Sequence, residues 1–505
     1  MGWSALNTFV ASFSLFLAVV FFFFSFFRLP YIFVWDVGVD RRTGRRREVK
    51  VDPDPVRAQK KKQIFFFEQN HPKKHRTTMD DKNQSMNEPS EDAAETAHFN
   101  SCVRGFLEYG QWIAPEFERR MQHRAKLSPK HLTMLGGSEI LTKRHQDAMN
   151  CLTLNSEFLA RSVQHQITHS MQDDWSRQHA RTHNHGHSHA QSHGHGHSHG
   201  GGGGGGDGDC SNCTNSQPNK ADDHTKWRLA PERSMVKVQS TLKQCVRDWS
   251  SLGKAERDSC YTPLVEALTE HLPVVNDKNF GLQKVLVPGS GLGRLVFDLA
   301  VLGYDTQGNE FSYQMLLMGD YIMNRSTGKE CHTVYPWLGE SNNMMQRSEE
   351  FASVTFPDIH PSEKVRNAPG QVQMSVAAGE FLMCYDNSAN VGAWDAVATC
   401  FFIDTAPNVI EYVETIWKML KSGGIWTNIG PLEYHWMTFR DGDIYENDPR
   451  YLESVEFSYD DIKTVMLSCG FEFLKEERRE CLYCSRPNAM KKTTFDCVHF
   501  TVRKK

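Results

Sequence analysis

The stretch that decides the fold is Val285-Leu-Val-Pro-Gly-Ser-Gly-Leu-Gly-Arg-Leu-Val296, in a chain of 505 residues. Its apolar start predicts a buried strand, its glycines a turn, and its last residues the beginning of a helix. Glycine lets the backbone approach a ligand without a Cβ clash, and the helix that follows presents unpaired N–H groups. About 20 residues on, Glu310 ends a second apolar segment, where an acidic side chain can accept hydrogen bonds from ribose hydroxyls. The pattern therefore predicts a cradle for a nucleoside cofactor.

The spacing of the glycines indicates which cofactor. A dinucleotide fingerprint requires G-x-G-x-x-G, with the third glycine where the helix meets the strand. Here Gly289, Gly291 and Gly293 form G-x-G-x-G, and Arg294 occupies the position of that last glycine. This pattern suits S-adenosylmethionine, which has a ribose and a cationic methionine moiety but no pyrophosphate.

The sequence after the cradle predicts a doubly wound α/β sheet. Trp394–Asp404 is a near-continuous apolar run, which is typical of a strand buried on both faces. Asn408–Leu420 has helical periodicity, and Lys421–Gly424 is expected to end that helix before a strand at Ile425–Ile429. The closing elements are expected to be a helix over Phe457–Cys469 and an antiparallel pair, Phe471–Glu477 with Phe495–Arg503.

Charge and cysteine usage limit the class of protein. The net charge of −4 gives no general affinity for nucleic acid or other polyanions. The 13 cysteines lack the spacing of a disulfide framework, and several, such as Cys400, fall in apolar strands. We therefore expect reduced thiols in a reducing compartment, the cytoplasm.

The N-terminal residues 1–35 differ in kind from the rest. Thr8–Phe27 carries no charge and is rich in phenylalanine, and about 20 apolar residues suffice to span a bilayer. No basic region precedes this run, whereas Arg28 and a cluster of arginines follow it, which would place the remainder on the cytosolic side. Two interpretations stay open: membrane attachment through the N-terminus, and a mispredicted first exon.

Composition divides the remaining chain into four parts. Residues 36–92 are polar and charged and read as a linker, and residues 93–178 have the patterning of a helical extension. Residues 179–225 form a low-complexity insertion rich in histidine and glycine, which can bind zinc or nickel weakly but cannot fix a coordination geometry. No defined metal site is predicted. Residues 226–505 hold the α/β domain.

A helix is predicted over Ser240–Trp249, with Leu242, Val246 and Trp249 on one face. Gln244 and Arg247 are three residues apart and share another face. That face is either a solvated polar surface or a wall of the cofactor site, in which Arg247 would hold the methionine carboxylate in a bidentate pair. The residues alone leave both alternatives open.

Six segments together resemble the carnosine N-methyltransferase family, and the resemblance extends over about residues 97–170 and 235–505. The segments are long and occur in the family's order. They are Ser240–Trp249, Gly253–Asp258, Leu286–Leu295, Gln307–Glu310, Thr399–Ala406 and Gly430–His435.

The resemblance implies a Rossmann-like class I methyltransferase sheet with a helical N-terminal extension. It also implies methyl transfer from S-adenosylmethionine to an imidazole nitrogen of the small peptide carnosine (β-alanyl-histidine), which gives anserine. In the family, the cofactor is lined by the counterparts of Gln244, Arg247, Gly289, Glu310, Glu380, Phe381 and Cys400. Glu380 stands where the family usually has aspartate, and it would accept a hydrogen bond from the adenine amino group.

The substrate residues implied by the resemblance are Asp404 and His435. Asp404 follows a central strand, where a carboxylate could select the imidazole tautomer, stabilise the developing charge and take the proton. The family has tyrosines just before its final strand, whereas here the sequence is Thr493-Thr494-Phe495. A hydroxyl remains at Thr494, so we expect a substrate contact there with shorter reach.

Two further functions stay open from the sequence. The main interpretation covers carnosine and related histidine-containing di- and tripeptides. Within the enzymes, the alternative is a protein-histidine or other small-molecule N-methyltransferase. From a different class, the chain would be a membrane-tethered, histidine-rich metal-binding protein with a degenerate domain. The intact Gly289–Gly293 turn, Glu310 and Asp404 argue against degeneracy. The sequence also leaves open whether the protein forms a homodimer.

Overall fold

The computed structural model describes residues 32–33, 91–167, 232–275, 281–437, 449–484 and 486–505. The chain divides into one unit of residues 1–163 and 230–505 and a second of residues 164–229. Of the second unit, only a 3₁₀ turn at Gln164–Gln166 and the residue after it are described. The apolar run Thr8–Phe27, the linker up to residue 90 and the His/Gly-rich insertion lie outside the described residues. In the described part of the chain, no helix combines the length and apolar composition that a bilayer crossing requires.

A mixed sheet forms the centre of the first unit. Among the described residues its eight strands have the spatial order β1-β6-β3-β2-β7-β8-β10-β9, parallel from β6 to β8 and antiparallel at both ends. Strands β4 and β5 form a separate antiparallel pair. The strands are β1 (Ile32–Phe33), β2 (Lys284–Pro288), β3 (Asp305–Glu310), β4 (His332–Val334), β5 (Val354–Phe356), β6 (Gln373–Ala378), β7 (Trp394–Cys400), β8 (Leu420–Gly430), β9 (Phe471–Leu482) and β10 (Thr494–Lys504).

Helices cover the sheet and extend it on the N-terminal side. The described helices are α1 (Glu91–Ala125), α2 (Pro129–Met134), α3 (Ser138–Val163), α4 (Glu232–Trp249), α5 (Lys254–His271), α6 (Arg294–Leu302), α7 (Tyr313–Arg325), α8 (Pro361–Arg366), α9 (Phe381–Tyr385), α10 (Val409–Met419), α11 (Pro449–Leu452) and α12 (Tyr459–Cys469). Helices α1 and α3 pack against each other, and they contact α4 and α7 respectively. This arrangement is the Rossmann-like α/β fold with a helical extension that the sequence predicts.

One buried carboxylate joins both long helices of the extension to the α/β part. Glu350, whose side chain is 3 % exposed, lies 3.4 Å from Nη1 of Arg120 and 2.5 Å from Nη2 of Arg144. The two arginines come from α1 and α3, so a single acidic group joins both helices to a 3₁₀ turn of the α/β part. Removing one partner of a buried pair of this kind leaves a charge without compensation, which is strongly destabilising.

The central strand β7 is shorter than the sequence predicts. The apolar run Trp394–Asp404 was expected to be one strand, whereas β7 ends at Cys400 and a 3₁₀ turn covers Ile403–Thr405.

The sheet also departs from the sequence prediction at the junction after helix α10. Lys421–Gly424 was expected to separate helix α10 from the next strand, yet β8 begins at Leu420, directly after the helix. Leu420 pairs with Trp394 across the sheet, and the register shifts before Ala396 pairs with Ile425. The glycines are therefore accommodated as an irregularity inside the strand, because pairing with β7 outweighs their low strand propensity.

A half-buried histidine lies where the extension meets the α/β part. The imidazole of His332 packs against the rings of Phe158, Tyr321 and Phe356, with centroid distances of 5.6, 5.2 and 5.5 Å. Its Nε2 lies 3.2 Å from the hydroxyl of Ser326. Burial among these rings lowers the pKa of His332 to about 4, so the ring is neutral in the folded protein at neutral pH.

We expect the free energy of unfolding to fall as the pH drops from about 6.5 to about 4, because the unfolded state binds a proton at His332 that the folded state excludes. This one group contributes up to about 2 kcal/mol over that window. His332→Phe keeps a ring but cannot titrate, so the variant should lose this part of the pH dependence. Urea unfolding at several pH values measures the free energy of unfolding of both proteins. If that free energy depends on pH in the variant as it does in the wild type, His332 is not the group responsible.

Candidate active site

A cavity of about 770 Å³ opens at the carboxyl ends of the parallel strands. Residues that follow β2, β3, β6 and β7 line it, and so do residues of helix α4. β2 pairs with β3 on one side and with β7 on the other, so the strand order reverses here. Such a switch point is where open α/β sheets bind their ligands.

The glycine turn forms the floor of the cavity. Gly289, Gly291 and Gly293 have φ of 64°, 55° and 77°, a region that side-chain-bearing residues rarely adopt. A Cβ at Gly289 would lie 2.7 Å from Cδ2 of Phe402, whereas a Cβ at Gly291 would meet only Oδ2 of Asp248, at 3.6 Å. Both glycines line the cavity, but the absence of a side chain at Gly289 serves the packing of Phe402 as well as any ligand.

Glu310 is fixed by the backbone on either side of it. Its Oε2 accepts the N–H of Gly291 at 2.8 Å, and its Oε1 accepts the N–H of Ser312 at 2.8 Å. Burial raises the pKa of this carboxyl group, and the two N–H groups oppose that rise. Each oxygen keeps a second lone pair, so the carboxylate can still accept the two hydroxyl groups of a ribose.

The polar face of helix α4 lies on the cavity wall. Gln244 and Arg247 both line the cavity, and the Arg247 side chain is only 8 % exposed. Nε of Arg247 lies 3.0 Å from Oε1 of Glu256, and the guanidinium stacks on the rings of Tyr261, Phe401 and Tyr483 at 5.3–5.5 Å. This face of the helix therefore lies on the cavity and is not a solvated surface, and the contact of Arg247 with a cofactor stays a prediction.

The remaining cofactor positions named from the sequence also meet at the cavity. Glu380 is the N-cap of α9, and its Oε2 accepts the N–H of Met383 at 2.8 Å. Phe381 is 2 % exposed, and its ring contacts those of neighbouring aromatic residues. The sulfur of Cys400 lies 3.9 Å from Nη2 of Arg247. An acid and an aromatic ring side by side can hold the edge and the face of an adenine.

Arg294, at the position of the missing third glycine, connects the glycine turn to helix α4. Its Nη1 donates to the carbonyl of Asp248 at 2.9 Å and to Oδ1 of Asp358 at 2.7 Å. Asp358 also accepts from Arg257, which donates to the carbonyl of Arg247 at 2.6 Å. A glycine here could make none of these contacts, so the arginine fixes the turn relative to the helix.

The predicted substrate residues do not all reach the cavity. His435 lines it, and its N–H donates to the carbonyl of Asp404 at 3.0 Å. Asp404 is 2 % exposed and lies behind the lining; its Oδ2 accepts the N–H of Glu433 at 2.9 Å. Within the described residues its buried Oδ1 has no hydrogen-bond partner. Burial raises the pKa of Asp404, while the Glu433 N–H and the charge of His435 lower it. Thr494 is exposed and is not among the lining residues.

Sequence reasoning missed the aromatic wall beside Arg247. The rings of Phe401 and Tyr483 lie 5.1 Å apart, and both line the cavity. Phe401 has φ of 52°, which turns it away from the line of β7. Tyr483 is brought there by the pairing of β9 with β10, in which Leu482 opposes Thr494. In the sequence, the position of Tyr483 could be found only from the register of the β9–β10 hairpin, which a single sequence predicts only approximately.

The wall of the cavity is acidic overall. The described residues that line it include five carboxylates and three cations. The carboxylates belong to Asp248, Glu310, Glu380, Glu411 and Glu453, and the cations to Lys237, Arg247 and Arg450. In the described part of the chain, no group of three or more histidine, cysteine or acidic residues could hold a metal ion.

The order of the parallel strands and the glycine turn at their switch point are those of a class I S-adenosylmethionine-dependent methyltransferase. The family model for carnosine N-methyltransferase matches residues 224–505. Carnosine N-methyltransferase of mouse (Mus musculus) is 41% identical over 301 residues, which cover 58% of this chain and 70% of the mouse protein. The enzyme of that name from Schizosaccharomyces pombe is 40% identical over 257 residues, 51% of this chain and 67% of the yeast protein. The chain belongs to the carnosine N-methyltransferase family.

Solved methyltransferase structures resemble the chain much more distantly. Magnesium protoporphyrin IX methyltransferase from Synechocystis, with bound S-adenosylhomocysteine, is 10% identical; it covers 53% of this chain and 94% of its own length, with a TM-score of 0.28. A putative methyltransferase from Bacillus halodurans is 11% identical, with 48% and 99% covered and a TM-score of 0.28.

We expect Gly289→Ala to destabilise the protein more than Gly291→Ala. Both changes place a side chain at positive φ, which costs roughly 1–2 kcal/mol. Only the change at Gly289 also drives a Cβ into Phe402, whose ring is held by the stacked ring of Tyr412 at 5.0 Å. Chemical unfolding of both variants measures the difference in their free energies of unfolding. Equal losses would show that Phe402 moves aside without cost, and the double variant Gly289→Ala, Phe402→Leu should recover part of the loss.

Proposed function

We propose that this protein transfers the methyl group of S-adenosylmethionine to an imidazole nitrogen of carnosine, giving anserine. The observation that supports this most directly is the buried Oδ1 of Asp404, an acceptor without a hydrogen-bond partner among the described residues. Its neighbours Phe402, Thr405 and His435 line the cavity. An unsatisfied buried acceptor is costly, and a ligand N–H that reaches it would remove that cost.

The residues of the cavity fit the cofactor part by part. Glu310 keeps lone pairs for ribose hydroxyls, Glu380 and Phe381 offer an acid and a ring to adenine, and Arg247 offers a cation to the methionine carboxylate. The position of Gly291 leaves room above the turn. When bound, S-adenosylmethionine supplies the electrophilic methyl group.

Asp404 has two tasks in this proposal. A neutral imidazole already has a nucleophilic lone pair near neutral pH, so the protein must orient the ring more than activate it. A carboxylate that accepts the ring's N–H leaves the other nitrogen free to attack. As the ring becomes cationic, the same carboxylate stabilises the charge and can take the proton.

The other substrate contacts differ in how well the geometry supports them. His435 lines the cavity beside Asp404 and can hydrogen-bond to the peptide group or carboxylate of the dipeptide. The aromatic wall of Phe401 and Tyr483 can hold the imidazole face. The contact at Thr494 stays a prediction without support from the cavity lining. The cytosolic location, membrane attachment and a homodimer also stay predictions.

Incubation with labelled cofactor and a panel of histidine-containing peptides tests the proposed function. Carnosine should be methylated, and peptides in which the histidine is replaced should not. The panel also includes a histidine-containing protein segment, because a preference for it over carnosine would favour the protein-histidine alternative. No transfer to any imidazole would overturn the proposal.

We expect Asp404→Asn to lower kcat on carnosine by about 10²–10⁴-fold, the range for a positioned acid–base group. The asparagine oxygen can still accept the Glu433 N–H, but its NH₂ group then stands at the position of Oδ1 and cannot accept the imidazole N–H. His435→Ala is the matched comparison and should act mainly through KM. Steady-state kinetics give kcat and KM for both variants. A wild-type kcat for Asp404→Asn would mean that another group accepts the imidazole N–H.

A further inference from the structure

A second buried carboxylate in the cavity, Asp248, has no role in the scheme above. It directly follows Arg247 at the end of α4, is 1 % exposed and lines the cavity. Its Oδ1 accepts the hydroxyl of Tyr261 at 2.8 Å. In the described part of the chain no hydrogen bond reaches its Oδ2, which lies 3.6 Å from the position that a Cβ would take at Gly291. One oxygen is therefore fixed and the other faces the glycine turn.

The nearest cation is already paired with another group. Nε of Arg247 lies 3.0 Å from Oε1 of Glu256 but 4.0 Å from Oδ1 of Asp248. Glu256 is itself held in place, because both of its oxygens accept the N–H of Cys484 at 3.0 Å. One cation thus stands beside two carboxylates, and a buried negative charge without its own partner is unfavourable. This end of the cavity is suited to receive a second positive charge.

We propose that Asp248 binds the α-ammonium group of the cofactor's methionine moiety, beside Arg247 and the carboxylate. This inference rests on the proposed function. The ammonium and carboxylate groups of an amino acid are bonded to the same carbon atom, and Arg247 and Asp248 present the two complementary charges on consecutive residues. The hydroxyl of Tyr261 orients the carboxylate by fixing Oδ1, which leaves Oδ2 for the ammonium group.

The test compares two ligands that differ only in the amino-acid part. S-adenosylhomocysteine carries the ammonium and carboxylate groups, and 5′-methylthioadenosine has the same nucleoside without them. For the full chain, calorimetry should show that Asp248→Asn weakens S-adenosylhomocysteine by about 10–100-fold, as expected for a hydrogen bond between charged groups, and leaves 5′-methylthioadenosine unchanged. Glu310→Gln is the control, because it should weaken both ligands alike.

The outcomes separate this inference from the proposed function. If the wild-type protein binds neither ligand, the methyl-transfer function is overturned and the inference with it. If it binds S-adenosylhomocysteine and Asp248→Asn weakens both ligands equally or neither, only the inference is overturned. Neither ligand would be weakened if the true partner of Asp248 were an ammonium group of the peptide substrate.

A measurement on the wild-type protein covers the case in which Asp248→Asn does not fold. The des-amino analogue of S-adenosylhomocysteine keeps the carboxylate and the nucleoside but lacks the ammonium group. It should bind about 10–100-fold more weakly than S-adenosylhomocysteine itself. Equal affinity for the two would overturn the inference.

Discussion

The geometry of the cavity depends on the hydrogen bonds of the Arg294 guanidinium group. Arg294 stands at the start of helix α6, directly after the glycine turn, and it binds both the end of helix α4 and Asp358. Asp358 also accepts a hydrogen bond from Arg257, and Arg257 donates in turn to the carbonyl of Arg247. Because every member of this buried network has partners, the turn under the ligand and the helix beside it are fixed relative to each other. This constraint positions the cavity-lining side chains of the turn and of helix α4.

Local constraints explain what the sequence could predict. A buried parallel strand, a glycine turn and an acid at the next strand end are each determined by a few adjacent residues, so Val285–Val296 and Glu310 were located correctly. The family resemblance added the cofactor positions that lie far apart in the chain, including Gln244 and Glu380, and the structure brings these together at one cavity. Their roles stay predictions until ligand binding is measured.

Tertiary contacts explain what the sequence could not predict. The strand that begins at Leu420 depends on a partner 26 residues earlier, Trp394, and outweighs the glycines that would otherwise end the segment. Burial of Asp404 behind the lining depends on where the loop after β8 returns, which no local pattern encodes. The position of Tyr483 at the cavity depends on the register in which β9 pairs with β10. Each of these features needs residues distant in sequence to be positioned first.

The acidic wall of the cavity has a consequence for turnover. The cofactor enters with a positive sulfonium and leaves as an uncharged thioether, so methyl transfer removes one unit of positive charge from it. Among the described residues of the wall, five carboxylates outnumber three cations, and the resulting negative potential attracts the spent cofactor less than the fresh one. The same charges that hold the reactant therefore assist release of the nucleoside product and limit its inhibition of the next cycle. Because such interactions are screened by ions, this discrimination weakens as the salt concentration rises.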